Sequence, residues 1–350
     1  MKKTFLFVVA AVVALTACNK NGSTADAPEM TKEMSVMAVN QKSMTKGYAT
    51  GATFEDIAYN EIHDDSPIAT PREMMLSTYL IPQNGTPGNY FVAEPFAVNT
   101  EDNLWHATPA RYWPIGGALD FLAYSVENAF AEDKVHWDAD NAAGSLNINV
   151  TPAYTQDDIL FSSVSGRASS TGSAAVPMEF KHAQAWIEFR VCATKADVVM
   201  LNEITLENIY DCGDLNIKNN AGDAIARWDF REYRAADKTV DDTFEVYGST
   251  SGTPKYLIVD DGDASTDTDW EYLDMLIPEQ EKTAIVLKYE LAGNEDGQQL
   301  TYRFNLDKEN WLQGKKYVYD ITMSVNEITI QPSVATWGEG VVTDVAGDIL

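Results

Sequence analysis

Trp186-Ile187-Glu188-Phe189-Arg190-Val191 alternates apolar and polar side chains without a break, and Glu203-Ile204-Thr205-Leu206-Glu207-Asn208-Ile209 soon repeats the pattern. A period of two turns every other side chain to one face, the mark of a β-strand. Working outward, Asn89-Tyr90-Phe91-Val92 follows the Gly85 and Pro87-Gly88 turn, and Leu119-Asp120-Phe121-Leu122-Ala123-Tyr124 follows Gly116-Gly117. Residues 54–59, 256–259, 284–291, 302–306, 317–323 and 327–330 read the same way. Short β-branched and aromatic runs, punctuated by Gly, Pro, Asn and Asp, predict an all-β chain of sandwiches or barrels. Helical periodicity is weak, and residues 72–80 are the best short helix candidate. Residues 165–175, rich in Ser, Gly and Ala, read as a long loop, and the turn-rich residues 212–224 divide the chain more evenly.

The N-terminus carries a different signal. Lys2 and Lys3 precede an almost wholly apolar run over residues 4–14, followed by Leu15-Thr16-Ala17-Cys18. The run is too short for a permanent membrane span and reads as a secretory signal. Small residues before Cys18 match a lipobox, so residues 1–17 are expected to be removed and Cys18 to be lipidated. Residues 19–32 are polar and small, a tether. Residues 33–39 form a candidate first strand, with Met34, Val36 and Ala38 on one side and Ser35, Met37 and Val39 on the other. Residues 41–51 read as an exposed loop.

The chain has 350 residues and a net charge of -28, which becomes -30 once Lys2 and Lys3 are lost. About 330 residues would remain, enough for two domains with their own cores. Such a surface repels phosphate backbones and excludes nucleic acid as a partner. Cys192 and Cys212 remain after Cys18; an oxidising compartment permits a disulfide, and buried thiols are the alternative.

Enzyme motifs are missing. There is no HExxH, Walker loop or GxGxxG, and Gly248-Ser249-Thr250-Ser251-Gly252 puts threonine where a nucleophile elbow needs serine. His63, His106, His136 and His182 have no ligand spacing, and His182 reads as a packing or capping residue. Asp260, Asp261, Asp263, Asp267 and Asp269 crowd one loop, but their spacing is not a calcium loop. Glu101, Asp102 and Glu132 are the acid pairs that any chain with 53 acidic residues offers. No enzyme, cofactor or metal is expected. Trp105, Tyr112 and Trp113 read as inter-sheet packing, with a sugar-stacking platform as the alternative.

Several segments, in order, resemble the fimbrillin-like family. Tyr112-Trp113-Pro114 followed by Leu119-Asp120-Phe121-Leu122-Ala123-Tyr124-Ser125 resembles its YWP and LDFFAYS signature. Gln156-Asp157-Asp158-Ile159-Leu160 resembles the stretch that ends a strand pair, and Phe180-Lys181-His182-Ala183-Gln184-Ala185-Trp186-Ile187-Glu188-Phe189 resembles FxHALAxIxF. Leu276-Ile277-Pro278-Glu279-Gln280 resembles LIPQ with Glu279 inserted; Trp311, Gly314-Lys315-Lys316-Tyr317-Val318-Tyr319 and the late Trp337 resemble a closing set of a Trp, a GKxYxY run and a later Trp.

The resemblance implies two tandem transthyretin-like β-sandwich domains, over residues 47–215 and 216–350, behind a removable segment at 18–46. It implies a subunit of a type V pilus, exported as an outer membrane lipoprotein at the cell surface and incorporated in the pilus after trimming. Its partners would be other pilus subunits, an extracytoplasmic protease and a host or bacterial surface receptor. Lipid on Cys18 would hold the precursor on the membrane. Trimming would remove the first strand, and a neighbour's strand would refill its place. Family members often carry arginine at the cut; this chain has Thr45-Lys46-Gly47 and no arginine before Arg72, so Lys46 is the expected site. The alternative is a subunit that keeps its lipid as an anchor. The tail alternates, and Val341, Thr343, Val345 and Ile349 form the candidate donor face. A monomeric surface lipoprotein that binds glycans or another ligand is the competing reading.

Overall fold

The alternating runs that fall on described residues form strands, while residues 54–59 and 257–259 lie outside those residues. A computed structural model describes residues 32–39, 73–126, 135–138, 145–150, 158–168, 175–193, 199–210, 213–220, 223–230, 243–247, 255–256, 271–291, 299–324 and 327–336. In chain order the strands are β1 (Val36–Val39), β2 (Glu73–Ile81), β3 (Gly88–Asn99), β4 (Leu104–Ala107), β5 (Ala118–Val126), β6 (Val135–Asp138), β7 (Ser145–Val150) and β8 (Leu160–Ala168). Then come β9 (Val176–Glu179), β10 (Lys181–His182), β11 (Gln184–Ala193), β12 (Val199–Glu207), β13 (Gly213–Asn220), β14 (Asp223–Asp229), β15 (Thr243–Tyr247) and β16 (Lys255–Tyr256). The last are β17 (Glu271–Pro278), β18 (Gln280–Glu281), β19 (Ala284–Leu291), β20 (Leu300–Asn305), β21 (Asn310–Trp311), β22 (Lys315–Met323) and β23 (Ile328–Thr336). No helix occurs among the described residues, so the chain is all-β there.

The first large sheet has the order β10-β8-β5-β2-β3-β4-β1-β9. It curls until β9 approaches β8. Its concave face buries Met34, Met74, Leu76, Phe96, Trp105, Phe121, Leu160 and Met178 in one core. The convex face of β5 and β8 is also covered: Leu122, Tyr124 and Phe161 meet Leu215, Ile217 and Ala226 of the sheet β14-β13-β7-β6. Downstream, the sheets β17-β11-β22-β23 and β15-β12-β19-β20 share a core of Ile187, Phe189, Leu206, Ile285, Leu287, Trp311 and Tyr319. Side chains of two sheets closing on one core make a sandwich. Within it the Phe189 and Tyr319 rings stack at 5.6 Å, and Trp311 Nε1 donates to the Tyr319 hydroxyl at 2.9 Å.

Several sequence-based expectations need correction. Residues 73–81 are β2, not helix. Met74, Leu76 and Thr78 point into one core while Met75 packs against the other, and two-sided burial hides the period of two. The first part of the 165–175 loop belongs to β8, which runs to Ala168. The turn-rich stretch at 212–224 holds β13, paired with β14. Its Leu215 and Ile217 are buried, and the polar Asp214, Asn216, Lys218, Asn219 and Asn220 around them gave the strand a loop-like composition. The division drawn at 215/216 therefore falls inside β13. The pairings also group the strands differently: β11 and β12 join β17, β22 and β19, whereas β13 pairs with β7.

The chain passes from the first core to the second through β9, β10 and β11 in immediate succession. This crossing is held by polar groups from separate motifs. The buried Asp158 carboxylate accepts from His182 Nδ1 at 2.9 Å, Gln184 Oε1 accepts from the Ile159 N–H at 3.0 Å, and the Gln184 carbonyl accepts from the Gly314 N–H at 2.8 Å. His182 is thus a packing residue, as read from the sequence. Gln280 does similar work inside the second unit, where its amide both accepts from Tyr210 N–H at 2.6 Å and donates to Tyr210 C=O at 2.8 Å.

Buried phenols give the fold an alkaline limit. Desolvation pushes the Tyr124 hydroxyl up to about 12, and burial also raises Tyr317 and Tyr319. These groups stay neutral in the folded chain after the unfolded chain has begun to ionise near about pH 10. The unfolded state then binds fewer protons, so stability falls as pH rises from about 10 through about 12. Phenolate absorbance is expected to lag there and then rise together with unfolding; full phenolate titration of a still-folded chain would contradict it.

Candidate functional site: the slot of the first strand

Lys32-Glu33-Met34-Ser35-Val36-Met37-Ala38-Val39 lies between β4 and β9 in the order of the large sheet. On one side it meets β4 and the segment beyond it. Val36 is opposite Trp105, Glu33 bridges to Tyr112, the Met34 N–H donates to Arg111 C=O at 2.7 Å, and the Trp113 N–H donates to Lys32 C=O at 3.0 Å. On the other side β1 runs parallel to β9, with Val36 opposite Val176, Met37 opposite Pro177, Ala38 opposite Met178 and Val39 opposite Glu179. The Val176 N–H donates to Ser35 C=O at 3.0 Å. β9 ends the sheet order, which is where its Pro177 is tolerated.

The alternation read from the sequence is what seats the strand. Met34, Val36 and Ala38 are 0 %, 0 % and 1 % exposed, and Ser35 and Met37 are half-buried. The inward three lie in the core with Trp105, Trp113, Val176, Met178 and Phe180. Trp113 in turn meets Phe121 edge-on at 5.8 Å. At the outer rim, His106 stands between two carboxylates, Glu33 at 3.2 Å from Nδ1 and Asp102 at 2.9 Å from Nε2. The Asp102 carboxyl is held below its ordinary value, first by the Leu104 N–H and then by His106. With β1 taken away, the edges of β4 and β9 would show unpaired backbone groups over an apolar trough. In general, an edge of that kind can pair with an added strand, backbone bonds giving affinity and alternate side chains giving register.

The aromatic trio divides. Trp105 and Trp113 are buried core residues, which removes the sugar-stacking platform, and only Tyr112 is exposed. Cys192 is buried, and its thiol donates to Thr322 Oγ1 at 3.7 Å. Cys18, Lys46, Cys212, Val341, Thr343, Val345 and Ile349 lie outside the described residues, as do His63, Glu132, Trp337 and the acidic loop at 260–269. Among the described residues, no group of three or more His, Cys, Asp or Glu is arranged to hold a metal ion. Sequence reasoning missed β9 as the partner of β1. The signal was there in Val176-Pro177-Met178-Glu179, whose Val176 and Met178 are buried, but it is only four residues long.

The chain matches the model of a family described as fimbrillin-like over residues 73–337. No curated protein sequence matches it. Among solved structures it is similar to a fimbrial protein from Bacteroides vulgatus, at 14 % identity and a TM-score of 0.47, covering 87 % of this chain and 100 % of that one. A cell-adhesion candidate from Bacteroides uniformis aligns with a TM-score of 0.46 at 14 % identity, over 87 % of this chain and 99 % of the other. The tip fimbrial protein Mfa3 from Porphyromonas gingivalis, with a C-terminal truncation, gives 0.37 at 10 % identity over 76 % and 95 %.

Proposed function

The chain belongs to the fimbrillin-like family, a fimbrial kind of cell-surface protein, and from that premise we propose that it is a structural subunit of a pilus that polymerises by exchanging β1 for a strand of its neighbour. The observation that carries this reading is the placement of β1. It is short, it is separated from β2 by residues 40–72, and among the described strands it is the one between β4 and β9. A strand tied in by one face of three apolar side chains, with its covalent link to the rest at one end, is one that a single cut turns into a replaceable ligand.

The route proposed follows the sequence. The precursor is exported, lipidated at Cys18 and carried to the outer membrane surface. Cleavage at Lys46 severs β1 from the body. A neighbour's tail, presenting Val341, Thr343, Val345 and Ile349, takes over the slot. The chain so arranged would be two tandem transthyretin-like sandwiches, and it would act in adhesion without catalytic turnover. Its partners are then further pilus subunits, the trimming protease and whatever surface receptor the pilus meets.

Two measurements test it. Mass spectrometry of the mature chain is expected to find Gly47 at the N-terminus; a lipidated Cys18 would instead make this subunit an anchor. Deleting residues 341–350 is expected to abolish polymers while leaving the melting curve of the monomer unchanged. Normal filaments from that truncated chain would refute the donor assignment.

A further inference from the structure

Four apolar side chains stand exposed together at one end of the large sheet. Ile81 is 40 % exposed, Tyr90 39 %, Tyr112 47 % and Ile115 88 %. The register places them at the same end. Ile81 closes β2 opposite Ala118, the first residue of β5, and Leu80 lies opposite Gly88 at the start of β3. The Tyr90 hydroxyl donates to the Tyr112 carbonyl at 2.9 Å, and Tyr112 bridges to Glu33, beside the beginning of β1. Gly117 (φ +91°) keeps the loop flush, since a Cβ there would lie 2.7 Å from the Ile81 carbonyl oxygen. This end is where β1 and β9 both start.

We propose that Ile81, Tyr90, Tyr112 and Ile115 form the surface on which the body of a second copy of this chain docks, and that the incoming strand therefore runs in the direction of β1. The proposal rests on the strand-exchange reading above and gives the slot a polarity. Three observations point to this occupant. First, the surface is continuous with the mouth of the slot through the Glu33 and Tyr112 bridge. Second, the other end of the slot is taken by the chain itself. β9 leaves Glu179 there and passes through β10 into β11, where Gln184 is bonded to Gly314 of the second core. A body that precedes its own donor strand has room only at the Glu33 end. Third, charge selects this face for contact between copies. The chain carries a net charge of -28, yet residues 81–93 and 112–119 contain no charged side chain. Two such acidic bodies approach with least repulsion where carboxylates and their counterions are few, and Glu33 at the rim of this face is paired with His106.

The test uses the full chain nicked after Lys46, so that its own β1 stays seated until it is displaced. Linking between copies is followed by analytical ultracentrifugation, and the slot is read separately by exchange of a labelled peptide of residues 32–39. Ile115→Asp is expected to weaken linking at least tenfold while peptide exchange stays as in the parent. Val334→Asp, at an exposed apolar residue (47 % exposed) on β23, is expected to change neither. Equal linking by Ile115→Asp and the parent overturns the docking surface and leaves strand exchange standing. Equal weakening by Val334→Asp overturns it too, since added charge alone would then be the cause. A nicked parent that never links overturns both readings.

Discussion

Replacing Glu188 with alanine is expected to destabilise the second core by about 3–5 kcal/mol. Glu188 and Lys316 meet diagonally across the parallel pair β11 and β22, where Lys316 is opposite Trp186 and Glu188 opposite Val318, with side chains only 3 % and 9 % exposed and 2.5 Å between Oε2 and Nζ. Two charges taken out of water this far are costly, and each is tolerated because the other is there. Alanine removes the carboxylate and leaves the ammonium buried. Lys316 would keep its place 3.6 Å over the Trp186 ring, a contact worth about 2 kcal/mol when desolvated, which does not cover the loss. Arg190 suffers less. It also contacts Glu188, but its side chain is one quarter exposed and Asp320 stands 3.9 Å away as a second partner. Adding Lys316→Met to the alanine variant is therefore expected to recover most of the loss, since apolar replacement of a whole buried pair is often neutral. Denaturant unfolding followed by tryptophan emission measures both. A single variant within about 1 kcal/mol of the parent would mean that the pair behaves as a hydrated surface bridge.

That ion pair also marks where sequence reasoning stops. The alternation of Trp186 to Val191 located β11 correctly, and Ile187, Phe189 and Val191 do fill the core. Alternation implies that the other face meets water, however, and here Trp186, Glu188 and Cys192 are buried as well. A charged residue on a strand reads as solvent-facing until its partner is known, and Lys316 lies 128 residues away. β1 was legible for the opposite reason: its pattern is local, and Met34, Val36 and Ala38 share one face as the sequence implied, the face that the structure buries. Its neighbours were not, because nothing in a sequence states that residues 36–39 pair parallel with residues 176–179. β13 was missed because the polar residues around Leu215 and Ile217, from Asp214 to Asn220, imitate a linker. The fimbrillin-like motifs succeeded where composition failed because they are joined in space. Asp158 of one motif holds His182 of the next, and Trp311 and Tyr319 share a hydrogen bond.

The second large effect is expected at Val36. It is fully buried between Trp105 and Val176, and Val36→Asp would place a carboxylate there with no cation opposite it. A fully buried acid has its pKa raised by about 3–5 units, so keeping it charged at neutral pH costs about 4–7 kcal/mol. The chain need not bear that cost in full. Seating β1 buries three apolar side chains, the larger worth about 1.5–3 kcal/mol each, against an ordering cost of about 1–2 kcal/mol per residue. The balance is small, so β1 is expected to leave its slot before the rest of the sheet unfolds. Hydrogen exchange should then accelerate at residues 176–179, whose Val176 N–H bonds to Ser35, while Phe189 and its neighbours in the second core keep their protection. Lowering the pH below about 4 should reseat the strand, since the introduced carboxyl is then neutral in both states. The depth of the effect at neutral pH measures how tightly the slot holds its own strand, which is also the free energy that a neighbour's strand must exceed. Loss of protection throughout both cores would show instead that β1 is a permanent part of the fold, and a strand that cannot leave cannot be exchanged.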